Sequence, residues 1–316
     1  MKISLVIPVY NEVENVPLLH KAIHEALDGQ DFEVTYVDDG SSDGTVEALS
    51  ELVRQDPGTS RLVVLRRNFG QTAALAAGID FSTGDVIVTL DADMQNDPAD
   101  IPILLEKIEE GYDVASGWRV DRQDTFLRRF PSRIANGLIS WVTGVHLHDY
   151  GCTLKAYRRE VLEGFHLYGE MHRFIPAYAG GFGARIVEVP VRHHPRRYGR
   201  AKYGLERTLK VFLDLLTVKF LISYSAKPIY VFGGFGMGMI GASLVVLLVL
   251  VGRRLLLDEH MIRSPLLLLS VMLFILGSQA ILLGLIAELT VRTYHESQAK
   301  PTYSVRRVVG SDHGTP

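Results

Sequence analysis

Thr89-Leu-Asp-Ala-Asp-Met-Gln-Asn-Asp-Pro98 closes the apolar run Val86–Val88 with two carboxylates one residue apart, Asp91 and Asp93, and a third at Asp97. On an extended chain, side chains at that spacing point the same way, so both can approach one ion, or one ion and its ligand. Acids gathered this closely repel one another unless something positive lies between them, and a hard divalent cation fits. Magnesium or manganese keeps one or two protein carboxylates and fills its shell with phosphate and water, so the pair implies a diphosphate substrate. Asp-x-Asp is common by itself; its place at the end of an apolar strand gives it weight.

Working outward, the first two hundred residues alternate strand and helix. ISLVIPV, FEVTYVDD, RLVVLRR, DVIVTLDAD and DVASGW suit buried parallel strands, and Asn15 to Leu27, Gly44 to Val53 and Thr72 to Phe81 read as the helices between them. The fold class is α/β, an open, mostly parallel sheet. Ligands collect at the carboxyl ends of such strands. Three strands end in polar residues: Tyr10-Asn11-Glu12, Asp38-Asp39-Gly40-Ser41-Ser42 and Asp91-Ala92-Asp93. No G-x-x-x-x-G-K run occurs and no G-x-G-x-x-G follows the first strand, so Walker-type and dinucleotide-binding readings lose their support.

The chain of 316 residues carries 33 basic and 36 acidic side chains, a formal charge of -3, which argues against nucleic acid as a partner. A lone cysteine, Cys152, excludes an internal disulfide and reads as a buried small residue. The apolar run in MKISLVIPVYNE is too short for a signal peptide, which places the first domain in the cytosol as an expectation.

Ile229 to Gly252 and Ser264 to Ala287 are each 24 residues without a charge, enough for two membrane spans joined by the short connector RRLLLDEHMIR. Gly233, Gly234, Gly236, Gly238 and Gly241 would allow close helix contact in lipid. Lys210, Lys219, Lys227, Arg292, Lys300, Arg306 and Arg307 flank the outer ends, against Arg253, Arg254 and Arg263 in the connector, which favours cytosolic outer ends at a plasma (inner) membrane. Tyr203 to Ser225 has Leu205, Leu209, Phe212, Leu213, Leu216 and Phe220 at helical spacing: an amphipathic helix on the membrane surface, or one packed on the soluble domain. The expected division is 1–202 catalytic, 203–227 interfacial, 228–291 hairpin and 292–316 cytosolic tail. Glu288, at a span boundary, reads as snorkelling to water, and His193 and His194, before Pro195, as loop residues with phosphate or metal binding as the alternative.

VIPVYNE, VDDGSSDGT, RNFGQTAALAAGI, TLDADMQNDP, DYGCTLKAYRRE and RRYGRAKY, in that order from about Ile3 through the hairpin, resemble the family 2 glycosyltransferases that charge a polyisoprenyl phosphate with a sugar. The similarity is greatest to bacterial undecaprenyl-phosphate transferases, including the aminoarabinose group. The resemblance implies a GT-A fold, a nucleotide-sugar donor, a polyisoprenyl phosphate acceptor, Mg2+ or Mn2+, and a homo-oligomer, a tetramer packed through the hairpins. It implies that Pro8, Tyr10, Asn11 and Glu12 border the nucleotide and that Asp39 meets the base or ribose with Asp38 beside it. Without the resemblance, Asp38 and Asp39 also read as turn residues, with Ser42 or Asp43 capping the next helix. It further implies that Asp91 and Asp93 hold metal and diphosphate with help from Gln95, and that Arg119, Arg133, Arg196 and Lys202 surround the acceptor phosphate. Attraction to anionic lipid heads is a second use for Arg196, Arg197, Arg200 and Lys202.

One position departs from part of the family. Some relatives carry an aspartate directly after the glycine where this chain has Gly151-Cys152; here the nearest acid is Asp149, either a group at the acceptor or a structural hydrogen-bonding residue. A phosphate monoester, with a second pKa of about 6, needs no strong base. The expected chemistry is an inverting in-line displacement at the anomeric carbon; a retaining two-carboxylate scheme has no evident acid pair. An inactive membrane scaffold is disfavoured by the intact Asp91, Asp93, Gln95 and Arg119. A processive polysaccharide synthase is disfavoured by only two spans and by the lack of Gln-x-x-Arg-Trp.

Overall fold

The computed structural model describes residues 1–120, 140, 144–163, 167, 171–195, 229–257, 264–297 and 302–310. Arg133, Arg196, Lys202 and the 203–227 segment lie outside the described residues. The chain divides into two compact units, one formed by Met1–Val218 with Pro301–Pro316, the other by Lys219–Lys300.

The first unit is built on the five expected strands, β1 (Ile3–Val9), β2 (Phe32–Asp38), β3 (Ser60–Leu65), β4 (Val86–Thr89) and β5 (Val114–Arg119), with three more: β6 (Lys155–Arg158), β7 (Ile186–Val191) and β8 (Val305–Gly310). Their order is β7-β5-β6-β4-β1-β2-β3-β8. Neighbours β4, β1, β2 and β3 run parallel, as do β5 and β7; β6 runs antiparallel to both β4 and β5, and β8 antiparallel to β3. The helices α1 (Val16–Ala26), α2 (Thr45–Gln55), α3 (Gln71–Asp80) and α4 (Ile101–Glu109) cover the sheet, with short α5 (Arg159–Leu162) and α6 (Ile175–Gly181) after β6.

Alternation along β1 sends Ile3, Leu5, Ile7 and Val9 into one core, shared with Val16, Leu19 and Ile23 of α1 and Leu49 and Val53 of α2. On the other face α3 packs so closely that a Cβ on Gly78 would stand 2.2 Å from Cγ1 of Val6, so the helix lies on the strand only because residue 78 is glycine. Because β2 and β4 flank β1 on opposite sides, the strand order reverses at β1, and the three acidic strand ends converge at that switch point.

The segment read as a tail contributes a strand. Val305–Gly310 extends the sheet beyond β3, Tyr303 is buried against α3, and its hydroxyl donates to Oδ2 of Asp80 at 2.8 Å. Arg306 and Arg307, counted above among the cations flanking the hairpin, belong to this strand.

The second unit consists of α7 (Ile229–Leu257) and α8 (Pro265–Ser297), both long and apolar enough to cross a membrane and mostly exposed, unlike core helices of a soluble protein. They cross at glycine: a Cβ on Gly236 would stand 2.5 Å from the Gly277 carbonyl oxygen, and one on Gly277 2.7 Å from that of Gly236. Ser243 and Ser270, both buried, each donate to the other's carbonyl, at 2.8 and 3.1 Å. Gly234, Gly238 and Gly241 meet nothing within 4 Å.

Candidate active site

Each strand end is shaped by side chains that cap the backbone of its neighbour. After β1 the chain turns sharply at Asn11, whose φ of 51° lies in the left-handed region that Asn tolerates better than most residues. Its Oδ1 accepts from the Ser42 N–H at 2.9 Å and its own N–H donates to Oγ of Ser41 at 2.9 Å, which ties the end of β1 to that of β2. Glu12 donates its N–H to Oγ1 of Thr45 and accepts from Nδ2 of Asn15 at 2.6 Å.

The two aspartates after β2 divide the work. Asp38, fully buried, accepts the N–H groups of Gly40 and Ser41 at 3.1 Å each, a turn-forming role; its Oδ1 has no hydrogen-bond partner. Asp39 reaches across to the loop before α3 and accepts from the N–H groups of Phe69 at 2.6 Å and Gly70 at 2.9 Å. Burial pushes both carboxyls upward in pKa. The loops meet so tightly that a Cβ on Gly40 (φ +78°) would stand 2.7 Å from the backbone of Arg67 and Asn68. Asp43 accepts the Thr45 N–H at 3.1 Å just before α2, but the N-cap position itself is Gly44, so neither Ser42 nor Asp43 caps the helix as the sequence allowed.

After β4, Oδ1 of Asp91 accepts from Nε2 of Gln71 at 2.7 Å, and Oδ1 of Asp93 accepts the Gln95 N–H at 3.1 Å. Met94 between them has φ of 59°, a costly conformation for a non-glycine residue and one concentrated at functional sites. The pKa of Asp91 is pushed up to about 6, first by burial, then by the charge of Asp93, with Arg119 and Arg173 pulling back in part. Pro8, Tyr10, Glu12, Asp39, Asp91 and Asp93 line one open cleft. Asn11 and Asp38 are not among the lining residues. Gln95 is held through its backbone, its carbonyl accepting the His194 N–H at 2.8 Å, and does not line the cleft.

Arg119 and Asp149 are brought together as a pair. Nε and Nη2 of Arg119 donate to the two carboxylate oxygens at 2.7 and 2.9 Å, and the Asp149 side chain also accepts the Gly151 N–H at 3.1 Å. Glu188 of β7 accepts the N–H groups of His148 and Asp149 at 2.8 and 3.0 Å, and Trp118 stacks on the His148 ring, so this corner is cross-braced. His193 bridges to Asn96 in the loop after β7, and Nε2 of His194 lies 3.2 Å from Asp97.

Asp91 also lines a second, smaller pocket with Thr89, Tyr150, Cys152, Lys155, His172 and Arg173 among its walls. Nζ of buried Lys155 donates to the Tyr150 carbonyl at 3.2 Å, and burial lowers its pKa to about 8. His172 shares a 2.7 Å hydrogen bond with Thr72, and burial pushes the Cys152 thiol up to about 11, which suits packing and not nucleophilic use. Sequence reasoning missed Asn68, Gly70 and Gln71 on the first cleft and Lys155, His172 and Arg173 on the second. For all but the last two, the signal was present in RNFGQ and TLKAY, quoted motifs whose individual side chains carried no assignment.

The glycosyl transferase family 2 model matches residues 4–165. The chain is 42% identical over 98% of its length, and 93% of the relative's, to the dodecaprenyl-phosphate galacturonate synthase of Rhizobium johnstonii. It is 39% identical over 97% of its length, and 94% of the relative's, to the undecaprenyl-phosphate 4-deoxy-4-formamido-L-arabinose transferase of Edwardsiella ictaluri. Among solved structures, the Mycobacterium tuberculosis glucosyl-3-phosphoglycerate synthase bound to Mn2+ and uridine diphosphate shares the fold, with a TM-score of 0.55 at 18% identity over 70% of this chain and 79% of that one. The chain is a glycosyltransferase and belongs to glycosyl transferase family 2.

Proposed function

We propose that the protein transfers a sugar from a nucleotide diphosphate sugar onto a polyisoprenyl phosphate, inverting the anomeric carbon, at the cytosolic face of the inner membrane. The observation that carries this reading is the convergence of Pro8, Tyr10, Glu12, Asp39, Asp91 and Asp93 on one cleft at the sheet's switch point. The relatives' printed names, a dodecaprenyl-phosphate synthase and an undecaprenyl-phosphate transferase, support the acceptor class. The motif resemblance favours a uridine donor over GDP-mannose.

The cleft suits a hard divalent ion. Its oxygen donors are carboxylates, and the raised pKa of Asp91 marks a negative charge awaiting a counter-charge. Asp91 and Asp93 would hold Mg2+ or Mn2+, with Gln95 assisting. When bound, the ion neutralises charge on the departing nucleoside diphosphate. Asp39 fixes the loop of Phe69 and Gly70 that forms one wall, and Gln71 orients Asp91. Arg119, with Arg133, Arg196 and Lys202, would hold the acceptor phosphate; Asp149 then acts as the residue that orients Arg119.

A sugar bearing a carboxylate, a uronic acid, is favoured over a neutral one. What supports it is the pair of basic residues Lys155 and Arg173, which line the smaller pocket with Asp91, together with the galacturonate in the name of one relative. The helices α7 and α8 are read as the membrane anchor. The chain enters α7 from the catalytic unit and returns to it as β8 after α8, which supports outer hairpin ends on the catalytic side. Assembly as a homo-oligomer is part of the same reading.

The test is a panel of nucleotide sugars, charged and neutral, with undecaprenyl phosphate, Mn2+ and lipid extraction. Labelled lipid from a UDP-uronic acid is expected. Polymeric product, or no lipid product with any donor, would overturn the reading, and Asp93→Asn should remove turnover while the protein stays folded.

A further inference from the structure

Away from the cleft, α1 carries His20 and His24 four residues apart and so on one face of the helix. That face meets Asp56, which ends α2. One ligand atom from each of the three lies within 4.8 Å of the other two; among the described residues this is the one place where three His, Cys, Asp or Glu ligand atoms gather so closely. None of the three lines the catalytic cleft.

The cluster has the parts of a metal site. Nδ1 of His20 lies 3.0 Å from the hydroxyl of fully buried Tyr36, which leaves Nε2 as that ring's ligand nitrogen. Oδ2 of Asp56 accepts from Oγ of Ser60 at 2.9 Å, a second outer partner. Nε2 of His24 is buried, makes no hydrogen bond, and stands 3.2 Å from Oδ2 of Asp56, close to the spacing of two ligands on one tetrahedral ion. The imidazole rings face each other with centroids 4.4 Å apart, and Phe32 packs edge-on against His24. All three residues are only partly buried, which leaves a coordination position open to water.

We propose that His20, His24 and Asp56 form a second divalent-metal site, selective for Zn2+ and its late first-row neighbours and distinct from the magnesium- or manganese-type site of the cleft. Two imidazoles and one carboxylate suit zinc, whereas the oxygen-only pair Asp91 and Asp93 suits a hard ion. A bound ion would pin the second half of α1 to the end of α2. The turn that holds Tyr10 and Glu12 leads directly into α1, so the site braces one wall of the cleft from behind.

The full-length protein in detergent, stripped with chelator, would be titrated with Zn2+ in excess Mg2+ and its bound metal counted after dialysis. One tightly held Zn2+ per chain is expected, together with a higher melting temperature. Binding should persist in Asp93→Asn and weaken at least tenfold in His24→Gln, in His20→Gln and in Asp56→Asn, with Co2+ giving a four-coordinate absorption band in the wild type and in Asp93→Asn but in none of the three site variants. Three site variants guard against one that fails to fold. Equal Zn2+ affinity in the wild type and a folded site variant, or no Zn2+ retained by the wild type, overturns the proposal, and neither outcome bears on donor or acceptor.

Discussion

Glu33 and Asp91 are acids of the same sheet at opposite ends of its strands, and protein crowds both. Glu33, near the start of β2, accepts from Oγ of Ser4 at 2.6 Å and from the N–H and hydroxyl of Thr83, with the Lys2 ammonium 3.0 Å away. Those partners outweigh its burial and bring its pKa down to about 2. Asp91, at the carboxyl end of β4, has Gln71 as a donor and Asp93 as a neighbouring charge, and its pKa goes up to about 6. One end of the sheet satisfies its charge within the fold. The other does not, as the proposed metal and diphosphate site requires.

Asp149 tests where the line falls, because it lies near the cleft yet is satisfied as Glu33 is. Its side chain and that of Arg119 are only 3% and 12% exposed, so removing one charge strands the other in protein. Asp149→Asn is expected to cost about 3–5 kcal/mol of stability, read by thermal or denaturant unfolding. If Asp149 instead served only as a group at the acceptor, the variant would unfold like the wild type and lose activity alone.

The acidic ends were legible because each closes an apolar run, and parallel strands buried on both faces show themselves as such runs. The strands that were missed have the opposite character. KAYR of β6 is four residues with a cation at each end, IVEVPV of β7 holds a proline and a glutamate, and VRRVVG of β8 reads as a basic tail. Nothing local marks β8, since Leu62 pairs with Val309 across almost the whole chain. The Arg119–Asp149 pair escaped for the same reason: each residue was singled out, but a contact between residues 30 apart has no sequence period. In the hairpin, the charge-free runs gave the two helices. Which of the glycines makes the crossing depends on the phase of the partner helix: Gly236 meets it, and Gly234, Gly238 and Gly241 do not.

Glu33 sharpens the comparison from the satisfied end. A carboxylate with a folded pKa below its unfolded value stabilises the fold at pH values above the unfolded one, and the contribution disappears as pH falls through the folded one. The window therefore runs from the usual glutamate value of 4.5 down to about 2. Glu33→Gln should lose about 2–3 kcal/mol at neutral pH, and the gap between variant and wild type should close as the unfolding is repeated toward pH 2. A gap independent of pH would mean that shape, and not charge, holds this corner.

The smallest effect expected has the opposite sign. Asp91 has a folded pKa of about 6, above the usual aspartate value of 3.8, so its protonated form stabilises the fold. That contribution is complete below the unfolded pKa and is lost as pH rises through about 6. At neutral pH without metal, the ionised carboxylate therefore weakens the protein. Asp91→Asn keeps the shape and removes the charge, so it should raise metal-free stability by about 1–2 kcal/mol while turnover falls. Added Mn2+ and nucleoside diphosphate should then stabilise the wild type and leave the variant nearly unmoved, because the charge that the ligand satisfies is gone. If Asp91→Asn destabilised the metal-free protein as Glu33→Gln does, the two ends of the sheet would be alike, and the cleft would have lost its electrostatic claim to be a metal and diphosphate site.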